Sequence, residues 1–295
     1  MAEHLFLGVD GGGSRTRARL RDEAGRLLGE AEAGAGNARL GDAGFNEVMT
    51  ACRRAVAVAG LGEDDLARIH AGFGLAGTQQ DVDRQSVLDR DTPFAALTVD
   101  TDAYAAYLGA HRGRDGGILI LGTGSCGLAV IGGRRINVGG WGADIGDDGS
   151  GMAIGRLAIR RSLWALEGMA PMTRLAEDVL AVFAGQGQNA VLWAAEATPG
   201  DFAAFAPRVF DHAEAGDELA EGVIEDAARD ATMLIERLLE LGSPSVAMIG
   251  SVFPRLLRWL PDRLGPLLVE PESDATDGAI LMAQRSLEGI GTGRP

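Results

Sequence analysis

The chain opens on an apolar run, Leu5-Phe-Leu-Gly-Val9, followed by an aspartate and three glycines. Beyond them Thr16, Ala18 and Leu20 alternate with Arg15, Arg17, Arg19 and Arg21, the period of a strand with one buried face. The pattern predicts strands over 4–10, 15–21 and 27–33. From Phe45 onward the apolar spacing lengthens: Val48, Ala51, Cys52, Ala55, Val56 and Ala59 share one helical face. A buried strand over 68–74, a helix over 81–91, a strand ending at 97–100 and a helix over 101–112 follow. The order is β-β-β-α-β-α-β-α.

The opening pattern then recurs. Gly117-Ile-Leu-Ile-Leu121 is an apolar strand, Gly122-Thr-Gly-Ser125 a second turn of glycine and hydroxyl residues, and 126–131 and 134–138 two further strands around Gly132-Gly133. Such internal similarity predicts two related domains, assigned to 1–113 and 114–295. The second begins with helices over 149–167, 173–184, 201–215 and 217–241, a helical insertion. In the last of these Val223, Ala227, Ala231, Leu234, Leu238 and Leu241 line one face. A strand over 245–249, a helix over 252–264, a strand over 267–269 and a helix over 276–287 complete the reading. That last helix is a candidate to pack back on the N-terminal domain, and 289–295 reads as a frayed tail.

With 295 residues, 46% of them hydrophobic, the chain can bury two cores. A formal charge of −15 argues against nucleic acid or an anionic membrane as partner, though not against a nucleotide accompanied by a cation. Two cysteines make no disulfide framework and fit a reducing compartment. Neither a secretory leader nor an apolar run of membrane-spanning length is present, so the expected location is cytoplasmic.

Glycines let backbone N–H groups close around a phosphate. In dinucleotide and P-loop sites they open a helix. Here they join two strands, as in the nucleotide-binding hairpin of actin and the sugar kinases. Gly11, Gly12, Gly13, Ser14 and Thr16 are therefore candidate phosphate contacts, matched by Gly122, Thr123, Gly124 and Ser125 in the second turn, so that two facing hairpins clamp a triphosphate. An aspartate beside a polyphosphate calls for a cation between them, which makes Asp10 the Mg²⁺ candidate. Arg15 adds charge, while Arg17, Arg19 and Arg21 read as a solvated strand face. In Asp100-Thr-Asp102 either of the first two residues suits a helix cap, leaving Asp102 in the first turn to accept the proton of an attacking alcohol. The loop Gly139–Gly151 holds one Trp and three Asp and suits a polyhydroxylated ligand. Asn37 shapes a turn or meets the substrate. Gly250-Ser-Val252 and Asp277-Gly-Ala279 are two candidate adenosine cradles. The four histidines form no metal pair, and the methionines read as packing.

Taken together, Val9-Asp-Gly-Gly-Gly-Ser14, Asn37, Thr101-Asp-Ala103, Gly122-Thr-Gly-Ser125, Gly140-Trp-Gly142, Gly146-Asp-Asp-Gly-Ser150 and Gly250-Ser-Val252 resemble the N-acetylglucosamine kinases of the BadF/BadG/BcrA/BcrD ATPase family, within the hexokinase/actin superfamily. The resemblance spans about 5–287. It implies an α/β fold of two RNase H-like (actin/hexokinase-type) domains around a central cleft, ATP and Mg²⁺ as cofactors, and transfer to the 6-hydroxyl of an amino sugar. By the same resemblance Asp10 helps hold Mg²⁺, Gly12, Gly13 and Thr123 hold phosphates, and Asp102 is the catalytic base. Asn37, Asp102, Gly140, Trp141 and Asp147 lie near the sugar, Gly250 and Ser251 near adenosine, and the assembly is a homodimer. Two departures bear on the sugar: Asp148 stands where the family more often has Glu, and Ala76 and Thr78 differ from residues that touch the sugar in some members. N-acetylglucosamine is the first expectation and glucosamine the second. Asp144 and Asp148 receive no role. An ATPase activator of a dehydratase would need cysteine-ligated iron, for which Cys52 and Cys126 lack the spacing. A sugar-binding repressor would need a DNA-binding module ahead of residue 5.

Overall fold

A computed structural model of the chain describes residues 4–289. Its elements are β1 (Leu5–Gly11), β2 (Thr16–Asp22), β3 (Leu27–Ala33), α1 (Asp42–Val58), β4 (Ile69–Leu75), α2 (Asp81–Leu88), β5 (Ala96–Thr101), α3 (Asp102–His111), β6 (Gly116–Leu121), β7 (Ser125–Ile131) and β8 (Arg134–Gly139). Six helices follow: α4 (Gly151–Leu166), α5 (Arg174–Val182), α6 (Gly187–Ala194), α7 (Pro199–Ala203), α8 (Ala206–Glu214) and α9 (Glu218–Glu240). Then come β9 (Val246–Ile249), α10 (Phe253–Leu256), β10 (Leu268–Val269) and α11 (Ala275–Leu287).

The strands make two five-stranded sheets, ordered β3-β2-β1-β4-β5 and β8-β7-β6-β9-β10. The orders correspond strand for strand, which is the structural form of the repeated opening. In the first sheet β1, β2 and β3 run antiparallel, whereas β1 pairs with β4 and β4 with β5 in parallel. The three-residue turn between β6 and β7 forces those strands to be antiparallel too, since a parallel pair needs a long crossover.

Contacts divide the chain into two units. The first runs to Ile118 and takes in Val130–Arg135, the tip of the β7–β8 hairpin, and Glu270 onward; the second is Leu119–Ala129 with Ile136–Val269. In the first unit, Leu7, Val9, Ala18, Leu20, Ala51, Cys52 and Phe73 make a closed core. Alternation in β2 puts Thr16, Ala18 and Leu20 inside, as its period requires. The other face of β1 and β4 is covered by α11, which also packs along α3. Glycine makes that approach possible: a Cβ on Gly8 or Gly72 would stand 2.1 or 2.0 Å from the carbonyl oxygens of Thr276 and Ala279. In the second unit α4 to α9 stand between β8 and β9, where the first unit has α1 and two short 3₁₀ turns.

Several expectations are corrected. Arg17, Arg19 and Arg21 do not form a solvated face: Arg19 donates to Asp274 at 2.8 Å and Arg21 to Asp277 at 2.8 and 3.0 Å, both acids at the start of α11. Asp277-Gly-Ala279 is accordingly no adenosine cradle, for Gly278 lies against α3 with no room for a Cβ beside the Ala105 carbonyl. The expected helix over 252–264 is one turn, α10, followed by 3₁₀ turns at Leu257–Trp259 and Asp262–Leu267, because Pro261 and Pro266 interrupt it. The expected helix over 201–215 is split into α7 and α8, and α6 had no counterpart in the sequence reading. Among the described residues no helix is long and apolar enough to cross a membrane. The tail beyond 289 lies outside the described residues.

Candidate active site

Parallel pairing aligns Asp10 with Gly74, and Gly74 with Asp100, so the ends of β1, β4 and β5 bring their chemistry to one edge of the first sheet. That edge, at the carboxyl ends of parallel strands, is where open α/β sheets hold ligands. The glycine turn begins there. Gly12 donates to the Arg15 carbonyl at 2.9 Å and accepts from Gly36 N–H at 3.1 Å, which fixes the loop while Gly13 and Ser14 stay exposed. Asp10 accepts from Arg17 at 2.9 Å, and Arg17 lies 3.7 Å from Asp274. Thr16, expected among the phosphate contacts, is fully buried and donates its hydroxyl to the Gly34 carbonyl at 2.8 Å. It braces the turn instead.

Thr101 is the cap of α3, its side chain accepting from Tyr104 N–H at 3.1 Å. Asp102 is the first helical residue, and its Oδ1 accepts from Ala103 N–H at 2.9 Å. Desolvation pushes its carboxyl up to about 6, the Ala103 bond opposes this, and the charge of Asp10 adds to it. A carboxyl poised near neutrality is what a general base requires. Asn37 accepts from Arg39 N–H at 2.9 Å through Oδ1, so the turn-shaping role is present, and the same Oδ1 lies against Gly77 in the turn after β4.

In the second unit the turn Gly122–Gly124 is docked on its neighbours. Gly122 and Thr123 carbonyls accept from Gly151 and Met152 N–H at the start of α4, at 2.8 and 3.1 Å, and Val252 N–H donates to the Leu121 carbonyl at 3.1 Å. Gly250 has φ of +110°, and a Cβ there would stand 2.2 Å from the Leu121 oxygen. Only glycine serves at that point. A cavity of about 250 Å³ opens beside these residues, lined by Gly122, Thr123, Ser251, Phe210 and Arg255 among others. Arg255 is held by Asp211 and Glu214 and lies 5.0 Å over the Phe210 ring. Gly250 and Ser251 were read from the sequence; Phe210 and Arg255 were not.

The loop after β8 carries the remaining candidates. Asp147 adopts φ of +63°, and its carboxylate accepts from Ser125 and Gly142 N–H. Desolvation, chiefly, raises its pKa against those two bonds. Its Oδ2 leaves no room for a Cβ on Gly124. Asp147 thus ties this loop to the Gly122–Gly124 turn. Gly140 lies over Cys126, and Trp141 is 76% exposed. Asp144 and Asp148 are exposed as well.

The family profile described as the BadF/BadG/BcrA/BcrD ATPase family matches residues 7–283. The chain belongs to the BadF/BadG/BcrA/BcrD ATPase family. Among relatives of this family member, the glucosamine kinase GspK of Vibrio cholerae serotype O1 is 38% identical over 281 residues, 95% of this chain and 96% of its own length. A protein of Chromobacterium violaceum, provisionally named N-acetylglucosamine kinase where its crystal structure was solved, is 34% identical with a TM-score of 0.89, over 95% of this chain and 99% of that one. A ROK family glucokinase from Streptomyces griseus, solved with glucose and AMPPNP, shares the fold at 20% identity with a TM-score of 0.58, over 95% and 98% of the two chains.

Proposed function

We propose that this chain is an ATP-dependent amino-sugar kinase that transfers the γ-phosphoryl group to the 6-hydroxyl of N-acetylglucosamine, giving N-acetylglucosamine 6-phosphate and ADP. The observation that carries the reading is Asp102: a carboxyl at the first turn of α3, held by Ala103 N–H and pushed to about 6, near Asp10 and its glycine turn. Phosphoryl transfer needs positioning and charge neutralisation more than covalent chemistry.

The residues present fit the cofactors. Gly11, Gly12, Gly13 and Ser14 offer a backbone nest on the first unit; Gly122, Thr123, Gly124 and Ser125 offer another on the second; Ser251, next to Gly250 in the chain, borders the cavity suited to adenosine. A single carboxylate, Asp10, suits Mg²⁺, which keeps several waters and otherwise binds phosphate oxygens. When bound it would neutralise charge on the phosphates. Asp102 takes the proton of the sugar hydroxyl. Asn37, Gly140, Trp141 and Asp147 form the sugar side of the assignment, and Asp147 keeps its loop in register with the Gly124 turn. The expected setting is the cytoplasm and the expected assembly a homodimer.

The 38% identity to a glucosamine kinase favours a second substrate, glucosamine, whose ammonium replaces the acetamido group. An iron-carrying ATPase activator is disfavoured, because Cys52 is fully buried in the first core. ADP release with Mg·ATP against N-acetylglucosamine, glucosamine, N-acetylmuramic acid, glucose and no sugar tests the proposal. Turnover dependent on one amino sugar supports it and names the substrate; ADP release indifferent to sugar refutes it. Asp102→Asn should lower kcat by roughly 10²-fold or more while leaving nucleotide binding in place.

A further inference from the structure

Arg135 lies at the base of the β7–β8 hairpin tip, in a stretch that the sequence presents as an ordinary surface turn. Its surroundings are not those of a surface turn. Its side chain is 10% exposed, and Nη1 donates to Asp100 Oδ2 at 2.8 Å, with Asp100 itself 6% exposed. Its guanidinium carbon lies 3.2 Å from the centroid of the Tyr104 ring. Nη2 is buried with no hydrogen-bond partner. Arg84, whose own partner is Asp81, lies 3.9 Å from Asp100.

Each of these contacts acts on the start of α3. Asp100 Oδ1 accepts from Thr101 N–H at 2.8 Å, so the carboxylate joins Arg135 to the residue that caps the helix. The Asp100 carbonyl accepts from the buried Thr78 hydroxyl at 3.1 Å, which holds the strand end from the other side. Tyr104, beneath the guanidinium, is the residue whose N–H the Thr101 cap receives. Asp102 lies between Thr101 and Tyr104 in the chain. A buried ion pair is weak evidence for stability, since the cost of desolvation offsets the attraction. An arginine that keeps one nitrogen unpaired is weaker evidence still. What the arrangement does provide is a fixed position.

We propose that Arg135 is a positioning residue for the catalytic base: through Asp100 and Tyr104 it clamps the first turn of α3 and so sets where the Asp102 carboxylate stands. The proposal rests on the kinase reading above. The clamp needs both the ion pair and the flat stacked guanidinium, which lysine cannot supply. Arg135 also stands four residues before Gly139, where the strand gives way to the loop assigned to the sugar.

The test uses the full chain with Mg·ATP and whichever amino sugar supports turnover, reading kcat, the KM of each substrate and the thermal midpoint. Arg135→Met should lower kcat about tenfold or more and leave the KM for ATP within about twofold, the mark of a displaced catalytic group rather than a lost binding contact. That variant also leaves Asp100 buried and unpaired. The double variant Arg135→Met/Asp100→Asn removes the stranded charge: the thermal midpoint should recover while kcat stays low. Recovery of kcat to within about twofold of the parent would show that the pair served folding alone and would overturn the proposal. Arg135→Lys keeps the ion pair and the fold, and should lower kcat about threefold; an unchanged kcat there would overturn the stacking part and with it the clamp. Asp102→Asn separates the two ideas. Full turnover in that variant refutes the kinase assignment of the base, whereas its loss alongside a fast double variant refutes Arg135 alone.

Discussion

The two glycine turns are the same device built twice and finished differently. Aligned on Gly11-Gly-Gly-Ser14 and Gly122-Thr-Gly-Ser125, each follows the first strand of its sheet, and each sheet has the same strand order. At the position before the first glycine one has Asp10, partly exposed and bonded to Arg17; the other has Leu121, fully buried. The first turn leaves Gly13 and Ser14 open. The second is pinned by the N-terminus of α4 and by Val252. On the proposed reading the duplicated backbone supplies two nests for phosphate, and the one cation takes its carboxylate from the first copy alone, the second having a core leucine at that position.

The difference between Asp10 and Leu121 gives the largest expected effect. Asp10→Asn should lower kcat/KM for Mg·ATP by about 10²-fold, partly restored by excess Mg²⁺, with little change in stability. Leu121→Ala should do the reverse, costing about 2–5 kcal/mol in urea unfolding while the Mg²⁺ dependence of the folded enzyme stays as before. Equal kinetic effects at the two sites would break the comparison. Next come the glycines. Gly250→Ala, with φ of +110° and the Leu121 carbonyl in its way, should cost about 2–3 kcal/mol. Gly13→Ala meets no atom within 4 Å, so stability should stay within about 0.5 kcal/mol of the parent while the KM for ATP rises.

A further expectation concerns pH. On the proposed reading Asp102 is the base and must be ionised to act, so kcat/KM should fall as the pH drops through about 6. Its stability contribution has the opposite sense. Folding raises this carboxyl from 3.8 to about 6, so the folded state takes up a proton between those values, and its advantage is complete below about 4 and lost as the pH rises through 6. Asp102→Asn should accordingly be more stable than the parent by about 1–2 kcal/mol at pH 7.5, after allowance for solvent, and no more stable at pH 4. Chemical denaturation at the two pH values decides it.

What could be read in the sequence was local. Alternation in β2, the apolar face of α9 and the repeated opening are patterns within a few residues of one another, and so is the Thr101 cap before Asp102. What could not be read depended on distant partners. The arginines of β2 look solvated until Asp274 and Asp277 arrive from a helix more than 250 positions later. The hydroxyl of Thr16 looks available until Gly34 claims it. Arg135 follows two glycines and another arginine, and nothing nearby announces Asp100 or Tyr104. Phe210 and Arg255 come from helices whose amphipathic pattern is ordinary, and their place beside Ser251 arises only from packing. α6 escaped because Val191 and Leu192 are exposed, which leaves the helix without a clean apolar stripe.

The packing of α11 against Gly8 and Gly72 has a bearing on how the chain is born. β1 and β4 leave the ribosome well before α11, so the first sheet must wait without that cover while the second unit emerges. The second unit, residues 119–129 with 136–269, has been synthesised in full before Ala275 is added. A nascent chain stalled before Ala275 would present Phe6 and the glycine groove to chaperones and proteases.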